Sequence, residues 1–175
     1  MDSLMKETIL TKTAIYKESL ARPHLFQTFE TFINSNKEKF TDESWDCHAI
    51  TSLNLTRNIL ELGEFKYMKD YLISLLKVLY KDQGFIISDS WINILTHKGF
   101  QEFHNHPAHP WVGVLYLTNN NSDIEFVNFY PKEVKMKIKP KKYDILIFEG
   151  STYHRVLPQK KDIERLSLAF NTVKQ

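Results

Sequence analysis

Three of the seven histidines of this 175-residue chain fall in one short stretch, "QEFHNHPAHPWVGVLYL", residues 101–117. In an extended strand, residues two apart point to the same side. His104 and His106 are therefore expected to project together, with Asn105 facing away and Pro107 ending the strand's hydrogen bonding. Two such imidazoles can take adjacent positions on one metal ion, at bonds of about 2.0–2.1 Å for zinc. A third ligand has to come from a distant strand, and "EGSTYHRVLP" supplies His154, the only histidine after His109. Taken alone, these residues fit a metal centre and an accidental histidine pair on a surface strand equally well. His109, between Pro107 and Pro110, reads as a rim or substrate-side residue. His24, His48 and His97 read as ordinary polar residues, and Cys47 as a small buried hydrophobe.

The elements that would position these groups can be read from the hydrophobic period. Before residue 84 the spacing is helical. Leu25, Phe26, Phe29, Phe32 and Ile33 recur at three- and four-residue intervals, and so do Phe65, Met68, Leu72, Leu75, Leu76 and Leu79. "ETILTKTAIYKESL" can form a strand, and "DCHAITSLNLT" a short extended or looping piece. From Phe85 the period changes to two. "SWINIL", "WVGVLYLT", "IEFVNF", "VKMKIK", "YDILIF" and "RLSLAFN" are short, rich in β-branched and aromatic residues, and parted by turn-forming clusters such as "TNNNSD" and "KPKKYD". Strands without helix-length crossovers between them imply an antiparallel jelly roll. The expected architecture is α+β, a single domain over 1–175. Residues 1–83 give mainly helical support on one sheet, and 84–175 form the β-sandwich that carries the metal site.

Composition narrows the functional classes. With 23 basic and 21 acidic residues, a net charge of +2 gives no electrostatic case for nucleic acid or an anionic membrane. A single cysteine excludes an internal disulfide. The opening "MDSLMKETIL" carries charges where a signal peptide needs an apolar core, so a cytoplasmic location is expected. The aromatic-rich composition, 13%, leads to the expectation of a homodimer.

From Ser90 onward the sequence resembles the small 2-oxoglutarate/Fe(II)-dependent oxygenases of bacteria and their viruses. The resemblance rests on Ser90-Trp91-Ile92-Asn93, His104-Asn105-His106-Pro107, Gly113-Val114-Leu115-Tyr116-Leu117, Tyr143-Asp144-Ile145-Leu146-Ile147-Phe148, the distal His154, and Glu164 through Asn171. It implies a double-stranded β-helix of cupin-like type, with His104, His106 and His154 as catalytic metal ligands for Fe(II). Across the wider superfamily the middle ligand is a carboxylate, completing a two-histidine, one-carboxylate set. Here that position is His106; alternatively His106 stands behind the ligands, and a carboxylate from Glu102 or Glu125, or a water, completes the set. The resemblance also carries an Arg-x-Ser pair onto Arg165 and Ser167, eleven positions beyond His154 (165 − 154), to grip the distal carboxylate of 2-oxoglutarate. Tyr116, Asn93 and Asn171 are further candidates for that pocket, since an inward-facing amide must find partners. Trp91 and Trp111 read most simply as core. The implied reaction is hydroxylation of a small-molecule or peptidyl substrate with release of succinate and CO2. A cupin-like three-histidine dioxygenase that needs no 2-oxo acid, and a barrel that only binds a ligand, are the competing readings.

Overall fold

The computed structural model describes residues 6–10, 13–20, 23–42, 49–81, 84–119, 122–128 and 133–175. Cys47 and His48 lie outside them. The chain runs β1 (Lys6–Leu10), β2 (Thr13–Ser19), α1 (Pro23–Asn36), β3 (Thr41–Asp42), β4 (Ala49–Thr51) and α2 (Lys66–Leu79). It continues as β5 (Phe85–Leu95), β6 (Gln101–His104), β7 (Trp111–Tyr116), β8 (Ile124–Asn128), β9 (Glu133–Ile138), β10 (Asp144–Glu149), β11 (Tyr153–Val156) and β12 (Arg165–Lys174). Eight strands form one sheet in the order β1-β2-β10-β7-β12-β5-β4-β3, and four form a second in the order β6-β11-β8-β9. All strand pairs are antiparallel. The fold is α+β, a jelly roll with its helices on the outer face of the larger sheet. The described residues before 84 therefore contribute four strands as well as two α-helices.

Alternation along the strands builds two separate cores. Ile92, Ile94, Leu115, Leu117, Ile145, Ile147, Leu168 and Phe170 point from the large sheet toward the helices. They meet Phe26, Phe29 and Ile33 of α1 and Met68, Leu72, Leu75 and Leu76 of α2. Phe65, just before α2, stacks on Phe29 with ring centroids 4.5 Å apart and ties the two helices together. On the opposite face, Ile15, Val112, Tyr116, Leu146 and Phe148 meet Ile124 and Phe126 of the small sheet. Strands of period two can serve both layers because successive side chains take opposite sides. Among the described residues, no helix is long and apolar enough to cross a membrane.

Two backbone details matter for the interior. Gly113 lies opposite Phe170 in the β7–β12 ladder, and a methyl there would sit 2.1 Å from the phenyl ring, so only glycine fits. Tyr143 adopts φ +75°, the left-handed region glycine favours. Its N–H donates to the Tyr116 carbonyl at 2.8 Å, its carbonyl accepts from Leu20, and its ring packs 4.2 Å from Phe26. Those contacts offset the strain.

The register between β5, β12 and β7 lays polar residues in rows across the inner face. Asn93, Ser167 and Tyr116 share one row; Trp91, Ala169 and Val114 the next; Asp89, Asn171 and Val112 the third. Arg165 lies two residues beyond Ser167 on the same face of β12. Four residues of β12, about 13 Å at strand rise, thus separate the Ser167 row from the Asn171 row.

Candidate metal centre

His104 closes β6, and His154 lies directly opposite it on β11. Their ring centroids are 4.2 Å apart. The position of His106 differs from the expectation of a shared strand face. The strand stops at His104, and His106 stands in the loop that follows. A hydrogen bond from its N–H to the Gly150 carbonyl (2.7 Å) holds it there. Its ring still reaches the others, with centroids 5.2 Å from His104 and 5.6 Å from His154. One ligand atom from each of the three lies within 4.8 Å of the others. Two donors on one ion can be no more than about 4.2 Å apart at bonds of about 2.1 Å, so the set needs at most a small contraction to close on a single ion.

The protonation states suit that role. The His104 Nδ1 lies 2.7 Å from the Glu102 carbonyl and the His154 Nδ1 3.0 Å from the Thr152 carbonyl. A carbonyl can only accept, so Nδ1 carries the proton in both rings and Nε2 keeps its lone pair. Burial pulls all three imidazoles toward the neutral form. His106 is brought down to about 4 by burial and then by His104 and His109. His154 lies well below its ordinary value through burial and the neighbouring His104, and His104 is lowered by burial against its carbonyl contact. Phe148 and Phe126 wall the His154 ring at 4.8 and 6.2 Å.

The alternative carboxylates do not join this cluster. Glu125 is turned to the other side of β8 from Phe126. There Arg155 holds it at 2.6 and 2.7 Å and Lys137 at 2.5 Å. Glu102 is exposed, and only its backbone carbonyl touches the site.

One internal cavity joins the imidazoles to Trp91, Asn93, Arg165, Ser167 and Asn171. Arg165 is 3% exposed and has no carboxylate partner among the described residues. Glu164, its sequence neighbour, is instead paired with Lys37. The Arg165 guanidinium lies 5.1 Å from the centre of the Tyr116 ring, and its Nε has no hydrogen-bond partner. Burial lowers its pKa, and Tyr116 opposes the shift. Asn93 Oδ1 and Asn171 Oδ1, which line the same cavity, are likewise buried without partners among the described residues. So many unmatched polar atoms in one enclosure mark a place built for a polar guest. The donor chemistry suits Fe(II) and a dicarboxylate: neutral imidazoles at one end, and at the other a buried guanidinium with no carboxylate partner among the described residues.

His109 lines an outer trough, with its Nδ1 3.2 Å from the Thr172 carbonyl. His24 and His97 are exposed and remote from the cluster. Sequence reading overlooked Gly150. A methyl there would meet the backbone carbonyl oxygens of His109 at 2.0 Å and His106 at 2.5 Å. The glycine thus lets the ligand-bearing loop lie on the β10–β11 turn, a contact with no sequence signal of its own.

The model of the family "Putative 2OG-Fe(II) oxygenase" matches residues 127–171, the segment holding His154, Arg165 and Ser167. No curated protein matches the chain. Among solved structures, a Pseudomonas putida prolyl-4-hydroxylase is similar at a TM-score of 0.69 and 12% identity, covering 92% of each chain. HygX from Streptomyces hygroscopicus, solved with nickel, 2-oxoglutarate and hygromycin B, gives 0.70 at 10% identity, over 92% of this chain and 83% of that one. The α-ketoglutarate-dependent epimerase SnoN of nogalamycin biosynthesis gives 0.73 at 9% identity, over 91% and 77%. At such identities the likeness establishes the double-stranded β-helix fold. Together with the family match, it supports a relationship to the 2-oxoglutarate/Fe(II) oxygenase superfamily.

Proposed function

We propose that the protein is a 2-oxoglutarate/Fe(II)-dependent oxygenase that hydroxylates a small-molecule or peptidyl substrate. The observation that carries this reading is the buried guanidinium of Arg165, unpaired with any described carboxylate, in the same cavity as three neutral imidazoles. A buried cation without a counter-ion is costly, and a dicarboxylate entering the cavity removes that cost.

His104, His106 and His154 would hold the ion. With Fe(II) and 2-oxoglutarate bound, the centre supplies oxidative decarboxylation: one atom of O2 enters succinate, the other enters a substrate C–H bond, and CO2 leaves. The chain's own residues bind and orient. The guanidinium of Arg165 and the hydroxyl of Ser167 would donate hydrogen bonds to the distal carboxylate, the guanidinium as a fork that fixes its direction. Tyr116 and Asn93, in the Ser167 row, offer an O–H and an amide to the remaining carboxylate oxygens. Phe126, Phe148 and Val112 keep water from the inner wall. No side chain is needed as nucleophile or general base.

Loading with Ni(II) and 2-oxoglutarate, followed by thermal melting and titration calorimetry, tests the reading. Arg165→Ala is expected to weaken 2-oxoglutarate binding about a hundredfold while metal binding persists. Anaerobic Fe(II) loading and exposure to oxygen should then yield succinate from the parent protein. Unchanged 2-oxoglutarate affinity in the variant would overturn the assignment. Metal-dependent oxygen consumption that ignores both Arg165 and 2-oxoglutarate would favour the second reading, a three-histidine dioxygenase, which the all-imidazole donor set makes worth separating.

A further inference from the structure

Beside the cavity, and sharing Trp91, His104, His106 and Asn171 with it, lies a trough of ≈ 380 Å³ that Arg57 and Asp89 also line. Its charged side chains are Arg57 and Asp89. Asp89 is spent: its Oδ1 accepts from the Arg57 Nε and its Oδ2 from the Ser88 hydroxyl at 2.7 Å. Arg57 meets Asp89 through Nε, and its side chain is 82% exposed. Its two terminal nitrogens therefore form an outward-facing fork whose direction the buried carboxylate sets.

The backbone beneath Arg57 is held as firmly. The Arg57 carbonyl accepts from the Ser90 N–H at 3.1 Å, the Asn58 amide donates to the Ile87 carbonyl at 2.9 Å, and the Ser90 hydroxyl bonds to Asn58 and accepts from the Leu60 N–H. These bonds strap residues 57–60 across β5. A solvated surface arginine needs no such anchoring. The imidazoles of His104 and His106 lie at the trough's inner end, and the Arg57–Asp89 pair lies at its outer end. Between the two stands Trp91, on the same face of β5 as Asp89 and with its ring centroid 6.5 Å from that of His106.

We infer that the trough is the substrate site, and that it takes a short acid: a carboxylate gripped by Arg57, with the rest of the molecule lying along Trp91 toward the histidines. The inference rests on the oxygenase reading above and adds to it the chemical class of the substrate. Asp89 is a positioning residue, since it acts through Arg57. On the strand scale, the anion lies one side-chain repeat, about 7 Å, from the Trp91 row, so the acid is compact.

The test uses a matched pair of probes, N-benzoylglycine and its neutral amide, on protein loaded with Ni(II) and saturating 2-oxoglutarate. Titration calorimetry or ligand-detected NMR reads both affinities. The acid should bind at least about tenfold tighter than the amide, the worth of one charge-assisted pair. In Arg57→Gln that ratio should fall toward one, and in Arg57→Lys it should be partly retained. Equal affinities in the parent protein, absence of binding by both probes, or a preference for the acid that survives Arg57→Gln would each overturn the inference. Ni(II) and 2-oxoglutarate affinities are measured on the same samples. A loading failure there would sink the oxygenase reading itself and so is distinguishable from failure of the anion subsite.

Discussion

His106 is the residue where this chain departs from a two-histidine, one-carboxylate set, and the departure has a calculable direction. Three neutral donors leave the full dipositive charge of a bound ion uncompensated, with the Arg165 cation at the far end of the same cavity. An incoming dianion should then gain more, and the ion alone should bind less tightly, than with a carboxylate at this position. His106→Asp is expected to tighten Ni(II) binding without cosubstrate. It should also shrink the factor by which 2-oxoglutarate tightens the metal, by about tenfold. Titration of the metal with and without 2-oxoglutarate, in both proteins, measures that factor; the same value in both would remove charge as the reason for the third imidazole. The chemistry-bearing residues at this scale were legible in the sequence because their types are rare and their spacing is tight. The roles of Glu102 and Glu125 were not, since a carboxylate's partner is decided by the far side of a sheet. Glu125 turns to Arg155 and Lys137 because Phe126, its neighbour, must face His154.

At the level of elements, the strands that matter most were the hardest to read. β6 (QEFH) and β11 (YHRV) have four residues each and little apolar alternation, yet they set His104 against His154. Their pairing is a long-range fact that local periodicity cannot report. The longer β5, β7, β10 and β12 announced themselves because they are buried on both faces, as were α1 and α2 by their three- and four-residue spacing. The loop carrying His106 depends on Gly150, whose N–H donates to the Pro110 carbonyl at 3.1 Å and whose own carbonyl accepts from His106. Gly150→Ala would push a methyl into two backbone carbonyls of that loop. The expected result is a loss of metal affinity of tenfold or more, with a stability loss of about 1–3 kcal/mol because backbone has to move. Metal titration beside thermal melting separates the two. A variant that keeps its metal would show that the contact does not govern the position of His106.

For the whole molecule, the α+β jelly roll followed from short strands without helical crossovers. The spread of the large sheet did not. β1 to β4 attach to its two edges, so residues before 84 share in the sheet that the later residues build. Such an assembly closes its outer surface with charge, and Glu125 shows how its stability should respond to acid. Burial pushes this carboxyl up, but the ionic hydrogen bonds from Lys137 and Arg155 outweigh burial and hold it below the usual carboxylate range. The folded state therefore binds the proton less readily than the unfolded chain does. The stabilisation is fully present above the unfolded value of about 4.3 and disappears as the pH falls through the lower folded value. Asp89, lowered by Arg57 and Ser88 against its own burial, adds a contribution of the same sign. Glu125→Gln should cost about 1 kcal/mol at neutral pH, because Arg155 and Lys137 are partly exposed and the pair is screened. The variant should also unfold with a shallower dependence on pH below about 4.3. Urea midpoints measured from pH 7 down to pH 3 on both proteins test this. Parallel curves would mean that the Glu125 ion pairs do not set the acid limit, and that other carboxylates on the sheet carry it.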